Sequence, residues 1–196
     1  MNSKYLPLLA TIVIFILSYA VCAMQYPSML STRVVGNLLT DNAFLGIAAV
    51  GMTFVIISGG IDLSIGSVIA FTGVFLAVIL QNTSIHPLVA FALVLVITTA
   101  FGAAMGAVIH YLQMPAFIVT LAGMFLARGV SFLLSTESIP ISADLYAHLS
   151  DYALRFEGGA RLTVPAMIML VVVLGGMVLL HLTRFGANVY ALGGSR

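Results

Sequence analysis

The sequence predicts an all-α, polytopic transmembrane helical bundle of about six spans, with a candidate broken helix around residues 58–66. Two observations predict it. First, 62% of the 196 residues are hydrophobic and 7% are charged. Mean hydropathy is +1.20. A soluble domain is about 45–50% apolar and about 25% charged. So few charges cannot coat a water-facing surface. A cytosolic enzyme, a nucleic-acid binder and a disordered regulator are excluded. Second, several segments approach the roughly 20 apolar residues needed to cross a bilayer. They are too uniformly apolar for the alternation of a barrel, so the spans are helical.

The spans follow in order. The first covers Tyr5 to Ala23, the second Ala43 to Ser58 and the third Ile65 to Leu80. The fourth covers Leu88 to Tyr111, the fifth Ala116 to Leu134 and the sixth Val164 to Leu180. Lys4 before an apolar run that ends at Val21-Cys22-Ala23 loosely resembles a signal peptide. The run exceeds a signal core of about 7–15 residues, so an uncleaved helix is the better reading. Cys22 is the one cysteine and cannot form an internal disulfide. An even number of spans puts both ends on one side. Lys4, Arg184 and Arg196 lie there, against Arg33, Arg155 and Arg161 on the other, so the basic count is tied. Lys4 before the first helix weakly favours cytoplasmic ends. The long loop from Ser135 to Thr163 holds Glu137, Asp144, Asp151 and Glu157, which suits an outer loop.

The stretch Gly51-Met52-Thr53-Phe54-Val55-Ile56-Ile57-Ser58-Gly59-Gly60-Ile61-Asp62-Leu63-Ser64-Ile65-Gly66-Ser67 is the most informative. It joins two spans that are each short for a full crossing. Gly59-Gly60 costs helix stability and permits unusual backbone angles. Asp62 and Ser64 can accept from the N–H groups that begin the third span. One reading is a break at membrane depth whose exposed backbone lines a polar path. The other is a tight cytoplasmic hairpin with Asp62 as a plain cap.

Arg128 lies within the fifth span, where a cation costs a few kcal/mol unless it snorkels or is paired. An interior role and snorkelling to the headgroups are both open, with Asp62 a conceivable partner by charge. Gly102 and Gly106, and Gly66, Ala70 and Gly73, are expected to let helices approach closely. Thr53, Thr72, Thr98, Thr99 and Thr120 can each bond their own helix carbonyls. Pro115 and Pro165 sit at helix starts, and Thr163 is a candidate cap for the sixth span. Lys4 is the only lysine, so there is no nucleotide-binding P-loop. His86, His110, His148 and His181 show no metal-ligand spacing. The tail from His181 reads as interfacial anchoring or as a docking segment.

At these residues the sequence resembles the permease family of bacterial sugar ABC importers, the group of the ribose, arabinose and methyl-galactoside permeases. Val50 through Ser67 is similar to the family's main motif. Pro115-Ala116-Phe117-Ile118-Val119-Thr120-Leu121 with Arg128-Gly129 resembles a second block. Thr183-Arg184-Phe185-Gly186 with Tyr190-Ala191-Leu192-Gly193-Gly194 resembles the start of a third. Within the family, Thr32-Arg33-Val34, Thr40 through Gly46, and Glu137 through Ile141 are similar to permeases of galactofuranose importers.

The resemblance implies an inner-membrane, multi-pass permease with cytoplasmic ends. Its partners would be a second permease subunit (the same or a different chain), a cytoplasmic ATP-binding subunit and a periplasmic sugar-binding protein. This chain would be no enzyme and would bind no cofactor, since ATP is used by the partner. Ser58, Gly59, Gly60, Asp62, Ser64, Thr120 and Arg128 become candidates for the translocation path. Arg184, Phe185, Gly186, Tyr190, Gly193 and Gly194 become candidates for docking the ATPase. Family members run on past this point, so residues 1–196 are expected to be one permease domain, the N-terminal portion of a longer protein. The rivals are a self-contained channel or secondary transporter, which would need intramembrane ion ligands beyond Asp62, and an inactive truncated product.

Overall fold

A computed structural model describes residues 6–141, 143, 145, 146, 149, 152–156 and 159–194. Lys4, Tyr5, Asp144, His148, Asp151, Glu157, Ser195 and Arg196 lie outside the described residues. The elements are α1 (Leu6–Gln25), a 3-10 turn (Pro27–Leu30), α2 (Thr32–Asp41), α3 (Ala43–Ile57), α4 (Ile65–Asn82), α5 (Pro87–Tyr111) and α6 (Ala116–Leu134). A short antiparallel hairpin of β1 (Ala153–Arg155) and β2 (Arg161–Thr163) follows, then α7 (Val164–Leu182) and α8 (Arg184–Gly194).

Five helices are long and apolar enough to cross a membrane: α1, α4, α5, α6 and α7. The expected second span needs correction. Its helix, α3, has only 15 residues. A sixth crossing exists only if α2 and α3 are taken together as one span bent by 58°. Asn42 stands at the bend, where its side chain donates to the Leu38 carbonyl at 2.9 Å. The other spans match their expected positions, with ends displaced by a few residues. His86 caps α5 through Nδ1, which accepts from the Leu88 N–H at 3.3 Å, and Pro87 occupies the first turn, where its missing N–H is harmless.

The helices form two packed groups. In one, α4 packs against α5 and α6, around a small core of Leu76, Ala90 and Val94. In the other, α3 packs against α7 and α8, and α2 seats on β2. The backbone of α2 approaches the hairpin closely, and a Cβ at Gly36 would stand 2.6 Å from the Arg161 carbonyl oxygen. Thr163 occupies the N-cap position of α7 without a side-chain cap bond. Its hydroxyl instead pairs with that of Thr40 at 2.9 Å. The expected cap is thus replaced by a tie between α2 and the start of α7. Tyr146 ties the long loop to α5 by donating to the Pro87 carbonyl at 2.8 Å.

The small-residue runs depart from expectation. Gly66, Gly73, Gly102 and Gly106 face open space rather than a neighbouring helix. Close packing at glycine occurs elsewhere, at Gly46 under Met169, Gly123 under Met105 and Gly176 under Val50.

Candidate functional site

Residues Ser58 to Ser64 link the two groups. The end of α3 is built by its last turn and two glycines. Gly59 has φ +77°, the left-handed conformation that a residue without Cβ adopts at no steric cost. Its N–H donates to the Ile56 carbonyl at 3.0 Å, and the Gly60 N–H donates to the Val55 carbonyl at 2.9 Å. This crossed pair is a Schellman cap, and it satisfies carbonyls that a helix end would leave bare. The Ser58 hydroxyl also donates to the Val55 carbonyl, at 2.8 Å.

Past the cap, Asp62 organises the turn into α4. Its Oδ1 accepts from the Ser64 N–H and the Ser64 hydroxyl, both at 2.7 Å. Ser64 is 1% exposed and makes no cap bond of its own. The first-turn donors of α4 are therefore not met by these two side chains, as the sequence had suggested. Asp62 instead fixes the residue that precedes the helix.

The link lies beside the first turns of α6. Thr120 is buried, and its hydroxyl donates to the Ala116 carbonyl at 2.8 Å, within 3.4 Å of the Ile61 carbonyl. Leu63 and Gly66 share a cavity with Met124 and Arg128. Thr120 and Arg128 lie about 6 Å and about 18 Å along a helix of about 28 Å, at 1.5 Å per residue. The helices α3 and α4 also do not pack along one another. The break lies level with the first turns of α6, where Thr120 meets Ile61.

A cavity of about 750 Å³ opens on this break. Ser58, Gly60 and Asp62 line it on one side, with Thr120 and Pro115 at the start of α6 and Gln113 after α5. Gln113 has φ +53° and donates from Nε2 to the His110 carbonyl at 2.5 Å. Two helix C-termini and one helix N-terminus thus converge on one space. Unpaired carbonyls and N–H groups of such ends carry partial charges of opposite sign. The arrangement can hold a neutral polar solute that both donates and accepts hydrogen bonds.

Five expected path residues gather at this cavity or in the turn beside it: Ser58, Gly59, Gly60, Asp62 and Ser64. Thr120 joins them. Arg128 does not. It lines a second cavity, its guanidinium carbon 5.9 Å from the Phe132 ring centroid, and it makes no ion pair among the described residues. The conceived partnership with Asp62 is absent.

The C-terminal candidates lie on α8. Gly186 sits so close to the Leu180 carbonyl that a Cβ would collide, which lets the chain turn sharply out of α7. Phe185 meets Phe54 with ring centroids 5.9 Å apart, and Tyr190 meets His181 at 6.4 Å. Gly193 packs on the Ile57 carbonyl, and Leu192 reaches the large cavity. Arg184, Tyr190 and Gly194 are exposed. Gln113 and Leu192 were not anticipated. Only the polar residue before Met114-Pro115, between two apolar runs, could have drawn attention to the first.

The chain matches the family described as branched-chain amino acid transport system / permease component over residues 34–196. It is 58% identical over 195 residues to the inner membrane ABC transporter permease protein YjfF of Escherichia coli (strain K12), a match covering 100% of this chain and 59% of that protein. It is 35% identical over 202 residues to the fructose import permease protein FruG of Bifidobacterium longum (strain NCC 2705), covering 100% and 59%. It is 36% identical over 178 residues to the ribose import permease protein RbsC of Escherichia coli (strain K12), covering 90% and 54%. The chain therefore spans little more than half the length of these relatives. No solved structure matches it.

Proposed function

Because the chain belongs to the family of branched-chain amino acid transport system permease components, we propose that it forms part of an inner-membrane permease subunit of an ATP-binding cassette importer. Its cargo is a monosaccharide, with galactofuranose the leading candidate. The chain supplies the translocation path and is not itself an enzyme. ATP is hydrolysed by a cytoplasmic ATP-binding partner, and a periplasmic binding protein delivers the sugar. A second permease subunit completes the pore, and both termini face the cytoplasm. Relatives named for fructose and ribose import support a sugar cargo.

One observation carries this reading. The Ser58–Ser64 break lies beside the first turns of α6 and opens on a cavity of about 750 Å³, large enough for a small polar solute. Non-helical backbone at membrane depth is tolerated where it is enclosed by protein or lines a water-filled cavity. The α8 helix carries the proposed ATPase-docking residues and reaches the same cavity through Leu192. Movement of α8 would thus be felt at the break directly.

Affinity purification of the protein from its native membranes tests the assembly. An ATP-binding subunit should accompany it, and uptake of radiolabelled sugar by reconstituted vesicles should require ATP. Uptake driven by a proton or sodium gradient, with no ATPase recovered, would replace this reading by a secondary transporter.

A further inference from the structure

We infer that α2 is a membrane-surface helix. Its apolar side lies in the lipid hydrocarbon of the leaflet nearest the β1–β2 hairpin, and it is not the first half of a bent crossing.

The composition of α2 sets it apart from the spanning helices. Thr32, Arg33, Asn37, Thr40 and Asp41 are polar, half of its 10 residues. At 3.6 residues per turn, Val34, Val35, Leu38 and Leu39 fall in one arc. The five polar residues and Gly36 fill the other arc. A helix with one apolar side, one polar side and modest overall hydrophobicity suits the plane of a membrane interface.

The hairpin covers the polar arc. Gly36 is buried, and a Cβ there would stand 2.6 Å from the Arg161 carbonyl oxygen. One turn on, the Thr40 hydroxyl pairs with that of Thr163 at 2.9 Å. Gly36 and Thr40 thus mark the side that faces the protein. Leu38 lies on the opposite side and is 44% exposed, and Val35 beside it is 52% exposed. A helix on a water-facing surface buries its apolar stripe and exposes its polar one. The seating of α2 is the reverse, as expected where the free side meets hydrocarbon.

The surroundings supply lipid as the cover. One end of α2 follows the spanning helix α1 through the 3-10 turn, and the other joins the apolar α3 at Asn42. Leu30 before α2, and Phe44 and Leu45 after it, are exposed, so apolar surface continues past both ends. Four aliphatic side chains, none more than about half exposed, fall far short of the roughly 800 Å² per partner that a stable protein interface buries.

The polar edge argues against a crossing. Arg33, Asn37 and Asp41 are exposed, and so are Arg155 and Arg161 on the hairpin. A bent span would press the first three into hydrocarbon, where charged groups are costly. In the interface they keep their water. Helix α3 then crosses alone. Its 15 residues measure about 22 Å, against a hydrocarbon core of about 30 Å. Local thinning of the bilayer under α2 makes up the difference.

The test is spin-label accessibility on the protein in lipid nanodiscs, in a Cys22→Ser background. Arg33→Cys, Val35→Cys, Asn37→Cys and Leu38→Cys each carry one nitroxide. Molecular oxygen concentrates in hydrocarbon, whereas a nickel chelate stays in water. The ratio of oxygen to nickel relaxation should be severalfold higher at Val35 and Leu38 than at Arg33 and Asn37. A high ratio at all four positions would make α2 part of a crossing and overturn the inference. A low ratio at all four would place α2 in water and also overturn it. Weak access of both reagents at Val35 and Leu38 would show cover by protein, a second copy or another chain, in place of lipid. Val35→Cys against Asn37→Cys carries the test if either of the other variants fails to insert.

Discussion

Gly193, one residue from the end of α8, rests against the carbonyl oxygen of Ile57 at the end of α3, with no room for a Cβ between them. Residues far apart in the chain thus meet backbone to backbone, beside the break at Ser58. Gly193→Ala should raise the intrinsic helicity of α8, since Ala is favoured over Gly by about 1 kcal/mol. It should nonetheless destabilise the docked helix by about 1–3 kcal/mol through overpacking. Hydrogen exchange in micelles checks this: α8 amides should exchange faster while those of α4 to α6 are unchanged.

Gly59 is the next sensitive position, because its positive φ closes the cap on α3. Gly59→Ala should cost about 1–2 kcal/mol in backbone strain. Gly59→Asn should cost less, since Asn tolerates the left-handed region. Thermal unfolding of the purified protein in detergent should rank wild type, Asn and Ala in that order.

Asp62 acts through one oxygen that accepts two bonds from Ser64. Asp62→Asn keeps a carbonyl oxygen there, whereas Asp62→Ala leaves the Ser64 N–H without this acceptor. The Ala variant should lose about 1–3 kcal/mol, the cost of stranding a buried donor. Uptake should fall in Asp62→Ala with membrane insertion intact, and Asp62→Asn should retain a larger share.

Tyr146 gives a pH dependence. Burial pushes its phenol above the ordinary value of 10.0, so the folded state favours the protonated form. The stability this confers is complete below about pH 10 and is lost as pH rises through the raised value. Tyr146→Phe removes the bond to the Pro87 carbonyl, worth about 1 kcal/mol, together with this titration. Limited proteolysis of the loop should be faster in Tyr146→Phe than in wild type at pH 8, and the difference should shrink above pH 10.

The apolar spans were legible in the sequence because length and composition alone decide whether a helix can cross a bilayer. Gly59-Gly60 and Asp62 were legible because a left-handed cap and a turn acceptor demand those residue types. Harder to read was the second span. Nothing in Thr40 to Phe44 signals a 58° bend, since an Asn costs a helix only a few tenths of a kcal/mol and does not by itself break one. Arg128 was conspicuous, and Ser131 lies one turn on in the same helix, but Ser67 was not legible as a neighbour because it comes from α4. Gly102 and Gly106 misled: small residues permit close packing but equally leave room for a cavity.

The division into two helix groups sets an order of biosynthesis. The α4–α5–α6 group uses only consecutive helices, so it can assemble as soon as α6 leaves the ribosome. Helix α3 precedes it in the chain, yet its partner α7 emerges roughly a hundred residues later, a delay of about 5–20 s at ordinary synthesis rates. During that interval α3 lacks the helix that it packs against most. The insertion machinery or lipid must occupy the face that α7 and α8 later claim.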